Sequence, residues 1–505
     1  MVPAFFSHVI VLFVLLQIAL LVQAQDVDAL RQAFEEADIA AVFPDDSAYA
    51  NASMPYNLRY TVRPVAITYP STPEQVSVVV SAGAARGLSV TTRSGGHSYI
   101  AGGLGGKDGA LVVDMSNFKA VVVNEADSTA EVGAGVLLGD LALALNAYGR
   151  ALPHGRCPTV GAGGHTTGGG YGHTSRMWGL LLDHLVSATV ILGNGTIVET
   201  SKSQNADLFW SIRGAGASFG VVTSFIFATE PVPSLGGTAF RYGWNLTATE
   251  ANDALQAFQT FVQGDIPLTF GAQLNFNQST ALGYVNMEYF GELWGDSAEL
   301  DEINGRFLDQ LNAPDSTEIF SGDWITVLNA SAWGDLNTSA TDPQHITFYI
   351  KSLMVPEPDG FSPSAIEAFI AYLTSEMSVT LDLSWFVEIE LYGGTNSAIN
   401  AVPANETAFA HRNKMFTLQM TALSPDFQPP FPEEGFAFID GMADSIIQNE
   451  PKDWPYGAYV NYPDPRLQQW KKLYYGDHYE ELSYFKDIYD PGNVFSFPQA
   501  IEPKS

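Results

Sequence analysis

Residues 155–172 form a passage in which glycine recurs too often for a regular helix or strand. Its glycines include the closely spaced set Gly161, Gly163 and Gly164. A second glycine pair, Gly95-Gly96, directly precedes His97. Glycine lets backbone N–H groups approach a ligand without a Cβ in the way, and successive amides can bind anionic oxygens. The two passages predict a loop-lined site that suits a pyrophosphate, with flexible surface loops as the alternative interpretation.

The glycine passages do not match the common dinucleotide or zinc signatures. The Rossmann fingerprint is not met, because Thr166 stands where its third glycine belongs. Cys157 is the single cysteine of the chain, which excludes an internal disulfide and a multi-cysteine zinc site. A zinc site of His154, Cys157 and His165 has suitable ligand types but no supporting spacing. We therefore predict no metal site.

The charge balance limits the partners of the chain. Its 505 residues include 55 acidic and 23 basic side chains, which give a formal net charge of −32. Proteins that bind nucleic acids use Lys and Arg to replace the counterions of the phosphates, so a nucleic-acid partner is excluded. Because 46% of the residues are hydrophobic and 15% are charged, the chain can bury more than one core. We expect two or three folded lobes.

The first segment is typical of a secretory signal. It is apolar from Val9 to Val22 and ends in the small-residue pattern Val22-Gln-Ala24, which predicts a signal peptide over residues 1–24. Its start lacks Lys and Arg, so an uncleaved membrane anchor is the alternative. No later stretch is long and apolar enough to span a bilayer, and we expect no membrane association of the mature form. A secreted, extracellular glycoprotein also fits the Asn-x-Ser/Thr sequons, which start at Asn51, Asn194, Asn245, Asn277, Asn329, Asn337 and Asn405.

The pattern of elements changes near residue 233. From Val65 to Arg93 the sequence reads strand, helix, strand, with Pro73 inside the helix start and Gly87 after its end, which indicates a βαβ unit. After residue 233, longer amphipathic helices alternate with strands, as in a sheet covered by helices. We predict a first domain over 25–233 with its core at about 60–232, a second over 234–450, and a C-terminal segment over 451–505 that returns to the first.

Individual elements follow from hydrophobic periodicity and turn signals. Asn194-Gly195 marks the turn of a hairpin between 185–192 and 196–198. The passage 155–172 is interpreted as loop. In the second domain, the predicted helices are Thr249–Val262, Ser297–Leu311 and Ser362–Leu373. The predicted strands there include Phe270–Phe276, His345–Ser352 and Ser384–Tyr392.

Four segments of the chain together resemble one known family. They are Ser-Gly-Gly-His97-Ser-Tyr, Cys157-Pro-Thr-Val-Gly-Ala-Gly-Gly-His, Asp207-Leu-Phe-Trp-Ser-Ile-Arg-Gly-Ala-Gly216 and Tyr459-Val-Asn-Tyr462-Pro-Asp. In this order they resemble the berberine-bridge-enzyme-like branch of the FAD-linked oxidases that share the vanillyl-alcohol oxidase fold. The resemblance covers nearly the whole mature chain. It implies an α+β fold, with a PCMH-type FAD-binding domain of two α/β subdomains and a substrate domain whose antiparallel sheet is covered by helices.

The resemblance implies a flavin held by two covalent bonds. In that family a histidine bonds the 8α-methyl group of FAD and a cysteine bonds its C6 atom, and the matching residues here are His97 and Cys157. The cofactor supplies the hydride chemistry, while the protein positions it and tunes its potential. The other residues expected along the cofactor are Arg93, Ser94, Gly95, Gly96, Ser98, Gly161, Gly163, Gly164, His165 and Asn493.

The resemblance also implies a catalytic pair. The second tyrosine of Tyr-x-Asn-Tyr, here Tyr462, would take the proton of a substrate hydroxyl as a hydride leaves the same carbon. The strand around residues 385–391 alternates, so Glu388 and Glu390 share one face, and Glu390 stands where related carbohydrate oxidases have an acidic partner for the tyrosine. The alternatives are an interface aromatic for Tyr462 and a solvated strand face for the two glutamates. The residues expected to contact the substrate are Tyr99, Phe386, Glu388 and Gln419.

Within the family, the sequence is similar to secreted fungal oligosaccharide oxidases, except that Glu388 replaces an expected glutamine. The implied reaction is oxidation of the reducing-end anomeric hydroxyl to a lactone, with O₂ reduced to H₂O₂ by a monomeric enzyme. The alternative enzyme is an oxidase of secondary-metabolite alcohols, or a dehydrogenase if the side chain of Leu185 blocks O₂. The non-enzymatic alternative is a secreted flavin-binding glycoprotein.

Overall fold

The computed structural model of the chain describes residues 27–332, 334–340 and 344–504. The predicted signal peptide over 1–24 lies outside the described residues. Within them, no helix combines the length and the apolar character needed to cross a bilayer. The first described element is a helix over 27–36, which buries Leu30 and Phe34 in the core of the N-terminal part.

A four-stranded sheet opens the N-terminal part. Its strands lie in the order Ala40–Val42, Ala66–Tyr69, Leu111–Asp114 and Val90–Arg93. The last three run parallel, and helix Pro73–Ala84 links the second strand of this order to the fourth. The helix begins where the Thr72 side chain accepts a hydrogen bond from Gln75 N, and proline occupies its first position. The predicted βαβ unit is confirmed, with one further strand between its two strands.

A five-stranded antiparallel sheet follows. Its strands lie in the order Val121–Asn124, Thr129–Gly133, Val221–Ala228, Leu185–Ile191 and Ile197–Ser201. The predicted hairpin is confirmed, and Gly195 in its turn has a φ of 81°. The strands Arg150–Ala151 and Glu230–Pro231 form a separate pair. The α-helices of this part include Leu138–Asn146, Ala162–Thr167, Ser175–Trp178 and Ala206–Ala215.

A seven-stranded antiparallel sheet forms the second part. Its strands lie in the order Ser316–Gly322, Gly237–Thr247, Tyr284–Trp294, Phe270–Gln278, Ser384–Leu391, Lys414–Leu423 and Phe348–Pro356. One face packs against helices and buries alternate residues such as Val387 and Ile389 in a large apolar core. The helices of this layer are Ala248–Gln263, Leu300–Leu308, Pro363–Leu373 and Glu433–Ile447. The opposite side chains of the central strands face a cavity.

Three sequence predictions need correction at the level of elements. The expected helix Ser297–Leu311 is a 3₁₀ turn Ser297–Glu299 followed by a shorter α-helix. The strand expected to begin at His345 begins at Phe348. The passage 155–172, interpreted as loop, contains helix Ala162–Thr167. Before residue 450, the described part of the chain also has the short helical elements Tyr49–Ala52, Gly102–Leu104, Leu181–His184, Gly216–Ser218, Trp324–Ser331, Thr338–Ala340, Glu376–Thr380, Ala398–Ala401 and Ala404–Glu406.

The C-terminal residues contact both the seven-stranded sheet and the N-terminal part of the molecule. Gly457 pairs with Met354 at the edge of the seven-stranded sheet. Further on, the buried Lys486 donates hydrogen bonds to Asp490 Oδ2 at 2.7 Å and to the backbone oxygen of Ser218 at 2.6 Å. Because this ammonium group is paired inside the protein, it ties the chain end to the N-terminal part. The helical elements of this segment are Trp470–Tyr475, Gly476–His478 and Tyr479–Tyr489.

Candidate active site

A cavity of about 460 Å³ lies between the glycine passages, the seven-stranded sheet and the segment around Tyr462. A concave site of this size, with mixed apolar and polar walls, suits a small-molecule ligand. Of the predicted cofactor and substrate residues, all but Asn493 line it. The fold therefore collects residues that are more than 300 positions apart in the sequence, from Arg93 to Tyr462, around one space.

The two glycine passages touch backbone to backbone at the cavity wall. A Cβ on Gly95 would lie 2.4 Å from Gly161 N, and a Cβ on Gly161 would lie 2.1 Å from Gly95 N. Both positions therefore require glycine. Gly164 differs, since a Cβ there would meet no described atom within 4 Å and would project into open space. Without Cβ atoms, this wall lets a bound pyrophosphate approach the backbone closely.

His97 and Cys157 both line the cavity, and their chemistry suits covalent attachment of a cofactor. The His97 ring stacks on Tyr56 at 4.3 Å between centroids, and its buried Nε2 has no hydrogen-bond partner among the described residues. Burial, assisted by His345, lowers the pKa of His97 to about 4, so the imidazole is neutral and nucleophilic. Cys157 is a free thiol. Its pKa is raised to about 11 by burial, which Arg156 opposes.

Other predicted cofactor residues support the cavity wall. Arg93 Nε donates to Asp114 Oδ2 at 2.5 Å, Ser94 Oγ donates to the Ala134 carbonyl at 2.5 Å, and Ser98 Oγ accepts from Gly102 N at 2.9 Å. His165 Nε2 accepts a hydrogen bond from Gly155 N at 3.1 Å. Burial, with His154, lowers the pKa of His165 to about 3, which matches its role as an acceptor. These hydrogen bonds hold each glycine passage in place separately, the first against Asp114, Ala134 and Gly102 and the second within itself.

The assignment of Asn493 to the cofactor site is not supported by the structure. Asn493 lies in the turn after helix Tyr479–Tyr489, with a φ of 49°, and its N–H donates to the Asp490 carbonyl at 2.9 Å. Its left-handed conformation explains an asparagine at this position. The part of this segment that lines the cavity comes later, at Phe497, Pro498 and Gln499.

Tyr462 and Glu390 form the predicted pair inside the cavity. The Tyr462 hydroxyl lies 3.2 Å from Glu390 Oε2 and 3.3 Å from Oε1, and it donates to this carboxyl group. Burial and then the charge of Glu388 raise the pKa of Glu390 to about 8, against the opposing effects of Arg156 and of the Tyr462 hydrogen bond. Burial and the charge of Glu390 raise the pKa of Tyr462 well above its usual value. An unassisted phenolate is therefore disfavoured, and a proton leaving Tyr462 has Glu390 as its acceptor.

The predicted substrate residues surround this pair. Tyr99 stacks on Tyr462 at 6.1 Å between ring centroids, and its hydroxyl lies 3.4 Å from Gln419 Oε1. Glu388 is the strand neighbour of Gln419, and Phe386 lines the same wall. Glu388 and Glu390 are 4% and 5% exposed, so the alternative of a solvated strand face is wrong.

Several lining residues were not predicted. Arg156 Nη2 contacts Glu388 Oε1 at 3.1 Å, and its position just before Cys157 is the one sequence signal that could have indicated it. Tyr459 Oη accepts from Gly170 N at 3.0 Å, and the Asn461 amide donates to the His165 carbonyl at 3.2 Å. Both residues belong to the Tyr-x-Asn-Tyr motif. They join the segment of Tyr462 to the second glycine passage.

The sequence analysis also named Leu185 as a residue that could block O₂ and His154 as a candidate zinc ligand. Leu185 is 4% exposed within the apolar core of the N-terminal part and does not line the cavity. His154 Nδ1 contacts the Gly155 carbonyl at 2.8 Å. Among the described residues, no group of three His, Cys, Asp or Glu side chains is arranged to hold a metal ion.

Comparison with known proteins agrees with this geometry. A family model described as an FAD binding domain matches residues 64–201, and one described as berberine and berberine like matches residues 458–502. A glucooligosaccharide oxidase of Sarocladium strictum is 33% identical over 500 residues, covering 97% of this chain and 98% of that protein. The chain therefore belongs to the FAD-linked oxidoreductases of the berberine-bridge-like family.

Two further similarities refine this placement. An FAD-linked oxidoreductase of Metarhizium anisopliae, dpmaF, is 34% identical over 485 residues, covering 94% of this chain and 91% of that protein. A solved glucooligosaccharide oxidase from Acremonium strictum, described with 6-S-cysteinyl, 8α-N1-histidyl FAD, has a TM-score of 0.87 and 32% identity over 94% of this chain and 99% of that one. The expected α+β oxidase fold is confirmed. The protein is an enzyme whose cofactor is FAD, and His97 and Cys157, the residues expected to attach it, both line the cavity.

Replacement of Gly164 tests whether its open space belongs to the cofactor. Gly164→Leu is expected to fold with little change in Tm, because the added side chain enters the cavity and not the core. Covalent flavin content, measured by absorbance after denaturation, should fall to a small fraction of the wild-type value. The matched control is Gly305→Leu on helix Leu300–Leu308, where the nearest atom to a Cβ is 3.8 Å away. Full flavin loading in Gly164→Leu would show that the cofactor does not use this wall.

Proposed function

We propose that the protein is a secreted, monomeric oxidase that converts the reducing-end anomeric hydroxyl of an oligosaccharide into a lactone and reduces O₂ to H₂O₂. The observation that carries the proposal is the Tyr462–Glu390 hydrogen bond in the cavity that also contains His97 and Cys157. A base with its own proton acceptor, beside the flavin attachment residues, is the arrangement that oxidation of a hydroxyl-bearing carbon requires.

The chemistry can be assigned to residues of this chain. Tyr462 takes the proton of the anomeric hydroxyl and passes its own proton to Glu390. When bound, FAD supplies the acceptor for the hydride from the anomeric carbon and delivers the two electrons to O₂. Loss of one proton and one hydride turns the cyclic hemiacetal into the lactone. The buried position of Glu390 makes proton transfer within the pair favourable, because an isolated carboxylate is poorly solvated there.

The wall opposite the glycine passages suits a sugar. The rings of Tyr99 and Phe386 offer apolar faces, while Gln419 and Glu388 offer polar groups at the same wall. Sugars present an apolar face of C–H groups and an equatorial rim of hydroxyls, so stacking and hydrogen bonding together can orient one ring. The similar oligosaccharide oxidases support this class of substrate.

Secretion is supported by the predicted signal peptide and by the position of the sequons. Asn51, Asn194, Asn329, Asn337 and Asn405 are exposed and open to glycosylation. Asn245 is exposed as well, but its Nδ2 donates to Ser279 Oγ and Asn286 Oδ1, so it is a poor candidate for modification. Secretion from the native host, followed by N-terminal sequencing of the mature protein, tests the cleavage after Ala24.

A peroxide assay with cello-, xylo-, malto- and chito-oligosaccharides tests the reaction directly. We expect equimolar H₂O₂ and lactone from at least one series. Turnover of phenolic or terpenoid alcohols, with none of any oligosaccharide, would favour the secondary-metabolite oxidase. Turnover with a dye acceptor alone would favour a dehydrogenase. If no donor reduces the flavin, the binding-protein alternative replaces the proposal.

A further inference from the structure

The two carboxyl groups of the cavity wall have unequal surroundings. Glu388 and Glu390 lie on the same face of strand Ser384–Leu391, and both are buried. Glu388 Oε1 lies 3.1 Å from Arg156 Nη2 and accepts a hydrogen bond from Gln273 Nε2 at 3.1 Å. Glu390 accepts a hydrogen bond from the Tyr462 hydroxyl, which is a neutral donor. A guanidinium and an amide donor stabilise a negative charge more than a phenol donor does, so the surroundings favour a charge on Glu388 over one on Glu390.

The orientation of the Gln273 amide supports this assignment. Its Nε2 donates to Asn275 Oδ1 at 2.7 Å as well as to Glu388, and its Oε1 lies 3.0 Å from His173 Nε2. Rotating this amide by 180° would place its oxygen against the oxygens of Glu388 and Asn275. The hydrogen bonds therefore fix Gln273 as a donor to Glu388.

His173 holds the other end of Gln273. Its Nε2 faces the Gln273 oxygen, and its Nδ1 lies 3.3 Å from Glu292 Oε1, an ion-pair contact without good hydrogen-bond alignment. Both ring nitrogens thus face acceptor oxygens. Glu292 and His173 are 2% and 4% exposed. A buried row of polar side chains, Glu292, His173, Gln273, Glu388 and Arg156, therefore holds Glu388 from behind the cavity.

We propose that Glu388 is a positioning residue for the oxidation: fixed as a carboxylate by Arg156 and Gln273, it makes Glu390 the carboxyl group that titrates and takes up the Tyr462 proton. This inference rests on the proposed function. When two neighbouring carboxyl groups lie in different environments, one ionises first, and its negative charge raises the pKa of the other. The transfer moves one proton from the Tyr462 oxygen to a Glu390 oxygen, while the sugar hydroxyl proton restores the phenol.

The direction of the pH dependence follows from the groups that face Glu390. These groups are Glu388, Arg156, Tyr462, Tyr99, Tyr171, Tyr459 and Cys157, the last of which no longer titrates once its sulfur is bonded to the flavin. Because burial and then Glu388 raise the pKa of Glu390 to about 8, the accepting carboxylate forms as the pH rises through that value. A plot of kcat/KM against pH therefore has an acid limb, in which activity falls as Glu390 becomes protonated. Removal of the Glu388 charge moves this limb to lower pH.

Glu388→Gln in the flavin-loaded enzyme tests the inference. The acid limb of kcat/KM should move about one pH unit lower, which gives about tenfold more activity at pH 6 relative to each enzyme's own plateau. The control is Glu288→Gln, a half-exposed glutamate of strand Tyr284–Trp294, which is separated from the strand of Glu388 by one other strand, and this variant should leave the limb in place. A higher KM at every pH with an unmoved limb would mean that Glu388 only contacts substrate, and would overturn the inference.

A second measurement does not depend on turnover. The C=O stretch of a protonated carboxyl group, followed by infrared difference spectroscopy during a pH titration, can be assigned to Glu390 by its loss in Glu390→Gln. Its midpoint should be lower in Glu388→Gln than in the wild type, and an unchanged midpoint would contradict the inference. If the midpoint moves but no sugar is oxidised by the wild type, the titration of the pair stands and the proposed function fails.

Discussion

Tyr462→Phe is expected to lower kcat by about 10³-fold while the enzyme retains its full complement of covalent flavin. The phenol is the group that would accept the sugar proton, and its hydroxyl reaches Glu390 at 3.2 Å. Phenylalanine keeps the ring that stacks near Tyr99 and Tyr459, so the cavity should keep its shape. Steady-state rates at saturating oligosaccharide, with flavin content measured on the same sample, give the result.

Tyr56→Phe is the matched control for loss of a phenol. Tyr56 lines the same cavity, and its ring contact with His97 survives the substitution. We expect a less than tenfold change in kcat for this variant, because its hydroxyl has no place in the proton path. Equal losses in the two variants would show that the Tyr462 effect is structural. Unchanged turnover in Tyr462→Phe would remove it as the base.

The double variant His97→Ala, Cys157→Ala is expected to lose all covalent flavin. Acid precipitation of the wild type should leave the flavin with the protein pellet, and precipitation of the double variant should release any flavin that it binds. The cause is the loss of both attachment atoms, the imidazole nitrogen and the single thiol of the chain. Absorbance of the pellet and the supernatant measures the effect.

The single variants are the controls for this result. Cys157→Ala and His97→Ala should each retain one bond and keep flavin in the pellet, with an absorption spectrum that differs from the wild type because one ring substituent has changed. Release of flavin from both single variants would indicate that one bond forms only with the other. Retention in the double variant would place the attachment elsewhere.

The local elements could be predicted from the sequence because their signals are local. The helix Pro73–Ala84 has a threonine cap and an N-terminal proline, and the hairpin at Gly195 has its turn dipeptide. The alternation in Ser384–Leu391 also placed Glu388 and Glu390 correctly on one face. The order of strands in the first sheet was not predictable in the same way, because the pairing of strand Leu111–Asp114 between two others is a long-range contact.

The residues around the cavity were predictable from the sequence only where they belong to a recognisable motif. His97, Cys157 and Tyr462 lie in recognisable segments, and all three line the cavity. Arg156 and Gln273 were missed because their role depends on contacts with Glu388 across 232 and 115 positions of sequence. Asn493 was expected at the cofactor but does not line the cavity, and a left-handed turn asparagine and a ligand asparagine look alike in a sequence.

Anaerobic reduction of the bound flavin by a matched pair of sugars tests the central claim most directly. The pair consists of the oligosaccharide with the highest activity in the peroxide assay and the same oligosaccharide after borohydride reduction of its terminal unit to an alditol. The account predicts rapid bleaching of the flavin absorbance by the first and none by the second, since only the first has an anomeric hydroxyl at its reducing end. Equal bleaching by both sugars, or by neither, would contradict the account.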